Sequence, residues 1–80
     1  MRVIPVGNFV VTVTAEQIER HGRAHWRGRW SIYPGREFQG RIAVAEGETD
    51  LHASEENAYL FAGTQGVATA KDIAAGSPVS

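Results

Sequence analysis

Asp50, His52 and Ser54 alternate along the chain, the spacing that puts an acid, a base and a hydroxyl on one face of an extended strand. Neighbours in such a row stand roughly 7 Å apart, so their side chains would have to converge to reach hydrogen-bond distance. Nothing beside them forms a strained nucleophile turn or an oxyanion cradle. Ser54 also precedes a helical pattern, where its hydroxyl serves as an N-cap. The segment therefore reads as a polar loop entering a helix, with Leu51 pointing into the core, and no catalytic residue is assigned.

His21 and His25 are four apart, a metal-binding spacing on a helix. On a strand the same spacing separates them by about 13 Å, too far to share one ion. His52 has no defined place near them, so no metal site is expected. The chain has no cysteine, which excludes a disulfide framework, a thiolate nucleophile and every Cys-based metal site. The glycines are not followed by Gly-Lys-Ser/Thr, and Gly63 and Gly66 fall inside a helical pattern, so no phosphate loop is present. Glu16, Glu19, Glu46, Glu48, Glu55 and Glu56 sit where solvated acids belong. The expectation is a non-enzymatic protein without a cofactor.

One pattern remains. Arg23, His25, Arg27, Arg29 and Tyr33 follow one another at period two, and Arg41 on a neighbouring strand would extend the row sideways. Arginine and tyrosine on an open sheet face can grip phosphates and stack on bases. The plainer reading is that an uncovered face has to be polar, with Thr12, Thr14, Glu16 and Gln39 diluting or pairing the charges.

The elements that would position these residues are legible from periodicity. Phe9 to Thr14 is β-branched and alternating, with Phe9, Val11, Val13 and Ala15 on one face; it can run on through Glu19 to a turn at His21-Gly22. Arg23 to Tyr33 alternates most clearly, with Ala24, Trp26, Gly28, Trp30 and Ile32 inward and the arginines outward. Pro34-Gly35 is a turn. A third strand is predicted from Phe38 to Ala45, ending in a bend or bulge at Gly47. A helix is predicted over Glu55 to Ala74, capped by Ser54 and stopped by Gly76 and Pro78. Its stripe of Tyr59, Ala62, Gly66, Ala70 and Ile73, widened by Ala58 and Phe61, suits close approach to Trp26 and Trp30.

The fold class predicted is α+β in βββα order, a three-stranded antiparallel sheet covered on one face by a C-terminal helix. Residues 1–80 form one domain, with an apolar arm at 1–7, a core at 8–76 and a tail at 77–80. Val3, Ile4 and Val6 in the arm have no place in a three-stranded core. The arm is expected to pair along a sheet edge, within the monomer or, the favoured arrangement, across a homodimer.

Eight Lys and Arg against nine Asp and Glu give a formal net charge of −1, so polyanion binding would need locally clustered charge. No run approaches the ~20 apolar residues that span a bilayer. Pro5, Gly7, Asn8 and Thr12 interrupt the N-terminal apolar run that a signal peptide requires. A cytoplasmic protein without a membrane partner is the expectation.

The Phe9–Val13 strand, the segment Trp26-Arg27-Gly28-Arg29-Trp30 and the acid-capped, alanine-rich helix from Ser54-Glu55-Glu56-Asn57-Ala58 together resemble small bacterial proteins grouped as domains of unknown function. The resemblance spans most of the chain and implies a fold but no activity. Arg27-Gly28-Arg29-Trp30 more loosely resembles the sheet-plus-helix DNA-binding domains of AP2-type factors and integrase arms. Two roles are therefore expected. One is a structural or protein-interaction domain. The other is a module binding nucleic acid or another polyanion through Arg23, His25, Arg27, Arg29, Tyr33 and Arg41.

Overall fold

Two tight turns organise the sheet. Gly7-Asn8 joins β1 (Arg2–Val6) to β2 (Phe9–Arg20), with Gly7 at φ +58°. His21-Gly22 joins β2 to β3 (Arg23–Pro34), with φ +53° and +74°. Positive φ at both central residues gives the twist that two-residue hairpins prefer. In the computed structural model, which describes residues 1–38 and 40–76, four antiparallel strands lie in the order β1-β2-β3-β4, and one helix follows.

The fold is thus α+β and antiparallel as expected, but with four strands rather than three. The N-terminal arm is the additional strand: Arg2 pairs with Val13 and Val6 with Phe9, inside one chain. Pro5 is compatible with this because β1 is an edge. The closing pair of a two-residue hairpin is hydrogen-bonded, so by alternation the imide nitrogen of Pro5 faces away from β2, where no donor is needed.

The last strand also lies elsewhere. β4 is Ala45–His52, not Phe38 to Ala45, and pairs Ala45 with Ile32 and Gly47 with Trp30. Residues 37, 38 and 40–44 are outside the strands; there Arg41 N–H donates to the Phe38 carbonyl (3.2 Å), Gly40 takes φ +73° and Ile42 is 89% exposed. Packing against Trp30 selects the later segment. A Cβ at position 47 would overlap the indole, so the residue opposite Trp30 has to be glycine. Gly47 is accordingly inside the strand. The bulge lies at Thr49-Asp50 opposite Gly28, whose N–H donates to Thr49 Oγ1 at 2.9 Å.

The helix α1 (Glu55–Ala74) begins as expected, with Ser54 Oγ accepting from the Asn57 N–H at 3.1 Å. Ala58, Ala62, Gly66 and Ala70 face the sheet and are buried, whereas Phe61 and Ile73, counted in the apolar stripe by spacing, are exposed. The core joins Val11, Val13, Trp30 and Ile32 of the sheet to Ala62 and Ala70 of the helix. Trp30 donates its indole N–H to Gln65 Oε1 at 3.2 Å. Trp26 is only half-buried, because it lies toward the end of the sheet where α1 begins. Gln39 and the tail at 77–80, including the stop at Pro78, lie outside the described residues.

Candidate functional site

The antiparallel register puts Glu16, Arg27, Arg29 and Glu48 on the sheet face away from the helix, on three adjacent strands. Arg29 bridges its neighbours. Its Nη2 lies 3.3 Å from Glu16 Oε1 and its Nε 3.1 Å from Glu48 Oε2. Arg27 Nη1 stands 3.8 Å from the same Glu48 carboxylate. The centre of the expected basic row is therefore an alternating ladder of opposite charges. Glu16 is legible as a partner from the alternation of its strand; Glu48 is not, because it lies beyond the strand that periodicity predicts from Phe38 to Ala45. Arg41 does not extend the row. It is exposed between β3 and β4, and the strand beside β3 brings Glu46 and Glu48 instead. Tyr33 packs against Phe38, with ring centroids 6.0 Å apart.

Arg23 and His25 lie at the other end of the row, on the part of the β2–β3 hairpin that outruns its neighbours. Arg20, absent from the expected site, is Arg23's cross-strand partner and shares its face. The signal for it was present: a strand continuing past Glu19 to the His21-Gly22 turn places Arg20 beside Arg23.

The acid–base–hydroxyl row is not assembled. Ser54 caps α1, the bulge interrupts the strand at Asp50, and the imidazole of His52 stacks on Phe61 at 4.7 Å. Among the described residues no three His, Cys, Asp or Glu side chains converge on a metal-sized site. No described helix is long and apolar enough to cross a membrane.

A second feature comes from dimensions. Four strands spaced ~4.8 Å apart make a sheet wider than the ~10 Å diameter of one helix. The helix sits over β2 and β3, and its flank toward β1 stays open. The result is a groove of about 520 Å³ lined by Ile4, Val13, Tyr59, Leu60, Gly63 and Val67, with Arg2 and Lys71 at its ends. Leu60 is 53% exposed there.

Arg2 closes one end of the groove. Its Nη2 donates to Glu56 Oε1 at 2.8 Å, and its guanidinium lies 4.3 Å from the Tyr59 ring centroid. The hydrogen bond to Arg2, reinforced by its charge, holds the Glu56 carboxyl below its ordinary range and raises the Arg2 guanidinium above its own. A depressed carboxyl stabilises the fold above its unfolded pKa and loses that contribution as pH falls through the folded value. The melting temperature of the wild type should therefore drop on acidification more than that of Glu56→Gln, and high salt should narrow the gap. Parallel melting curves across the carboxyl range would remove this contact from the account of how β1 is tied to α1.

Comparisons with protein-family models, with curated proteins and with solved structures find no match to this chain.

Proposed function

We propose that this chain is a non-enzymatic protein-interaction domain that self-associates through the groove between α1 and β1. The observation that carries the reading is the exposed Leu60 on an apolar groove beside the helix. Leu60, Thr64, Val67 and Lys71 follow at intervals of four, three and four, so they form one stripe along α1. A second copy laid antiparallel about Thr64 sets Leu60 of each helix against Val67 and Ala68 of the other. The same arrangement brings Lys71, in the last turn, to the acidic first turn that carries Glu55 and Glu56. Both contacts repeat by the two-fold axis, as a closed dimer requires. Gly63 leaves room on this flank, since the nearest atom to a Cβ there would be Ile4 Cδ1 at 3.7 Å.

Light scattering at increasing protein concentration tests this. The wild type should approach twice the chain mass of 8.7 kDa. Leu60→Glu should stay monomeric with unchanged circular dichroism, because the side chain it replaces is half-exposed. A wild type that remains monomeric at the highest concentration would overturn the proposal and leave the groove to an apolar segment of another protein.

A further inference from the structure

We infer that the tip of the β2–β3 hairpin is a nucleic-acid-binding element, in which Arg20, His21, Arg23 and His25 contact the phosphate backbone of a duplex. This inference is independent of self-association, which uses the other side of the molecule.

The hairpin stands clear of the rest of the fold. β1 accompanies β2 only as far as Val13, and β4 accompanies β3 only as far as Trp26. Beyond the Gln17–Trp26 pair neither neighbour follows, and residues 18–20 and 23–25 run on to the turn as two strands, roughly 10 Å at ~3.3 Å per residue. The helix does not follow: Gly28 lies beneath Ala58, in the first turn of α1, and the tip extends in the opposite direction. What projects is a two-stranded ribbon, the kind of element that the ~12 Å major groove of a duplex admits.

Its charge is sorted by face. Arg20 and Arg23 are direct cross-strand partners, His25 lies opposite Ile18 on the same face, and His21 is at the turn. Glu19 pairs with Ala24 on the other face, and Glu16 is engaged by Arg29. Among the described residues neither Arg20 nor Arg23 forms an ion pair. The two guanidiniums thus combine in a chain whose net charge is −1.

The tip also departs from what stability alone would select. Like charges directly opposite one another destabilise a hairpin. His21 holds φ +53° at a turn position that asparagine or glycine fills with less strain. Local choices that oppose folding cluster at functional sites. A phosphate backbone resolves the conflict here, because its charge lies between the two arginines and screens them from each other.

The test is fluorescence anisotropy of a labelled mixed-sequence DNA duplex at low salt. The comparison is between Arg20→Gln with Arg23→Gln and Arg36→Gln with Arg41→Gln, which removes the same charge from the opposite end of β3. The tip variant should lose affinity about tenfold or more, and its log K against log salt slope should fall by about 2. The loop variant should change by less than about twofold, since non-specific charge loss far from the phosphates is screened. Melting of the tip variant should stay the same or rise as the like-charge pair is relieved. Equal losses in the two variants, or a wild type that binds heparin but not the duplex, would overturn the assignment. Amide shift mapping on the unaltered protein gives a second reading. Duplex addition has to perturb residues 18–25 most, and largest shifts elsewhere would sink the proposal without any substitution.

Discussion

Trp30→Ala is expected to remove roughly half of this domain's stability. The indole is 9% exposed, lies over Gly47, packs beside Gly66 and Val11, and donates to Gln65. Among the described residues no other aromatic ring belongs to the buried core, whose remaining side chains are valine, isoleucine and alanine. Truncation of a buried tryptophan costs ~3–5 kcal/mol, and here it opens a cavity above Gly47. A domain of this length has total stability of about 4–12 kcal/mol, so roughly half of the margin goes. Losing the indole also leaves the Gln65 amide without its partner. Trp26→Ala should cost roughly half as much, because Trp26 is only partly buried at the end of the sheet. Urea unfolding followed by circular dichroism checks both. Equal midpoints for the two variants would mean that the core is not centred on Trp30.

Gly28→Val is expected to do comparable damage by the opposite route. A Cβ at position 28 would overlap the Ala58 carbonyl oxygen and lie 2.7 Å from Ala62 Cβ. The obstacle is helix backbone, which cannot turn aside as a side chain can, so α1 has to lift from β3. Overpacking of this kind costs about 3 kcal/mol or more. Gly63→Ala is the matched control. Its Cβ would meet only Ile4 Cδ1 at 3.7 Å, an ordinary contact. Replacing a helical glycine there should raise stability by roughly 0.5–1 kcal/mol. Thermal melting of the pair separates steric contact from helix propensity. A destabilised Gly63→Ala would place the helix nearer β1 than the groove allows.

The candidate site was legible in part. The alternation of β3 assigned Arg23, His25, Arg27 and Arg29 to the outward face, and the register places them there opposite residues of β2 that face the same way. What those arginines meet was not legible. Glu48 neutralises Arg27 and Arg29 only because β4 pairs at Ala45–His52, and that register rests on a contact between Trp30 and a glycine seventeen positions away. Arg41 joins the row only if a strand runs from Phe38 to Ala45; with β4 at Ala45–His52 it lies outside the sheet.

By itself, the sequence determined whatever depends on neighbours a few residues apart. The cap at Ser54, the reach of α1 from Glu55 to Ala74, the turn at His21-Gly22 and the two faces of β3 all follow from local hydrogen bonding and period. Tertiary structure decided which extended segments pair. Phe38 to Val44 has stronger β-propensity than Glu46 to Asp50, yet the latter is in the sheet, because Gly47 fits beneath an indole and Thr49 satisfies the Gly28 N–H. β1 likewise gained its place from a free sheet edge that tolerates Pro5. Propensity differences in strands amount to about 1 kcal/mol, which one close contact with a buried tryptophan exceeds.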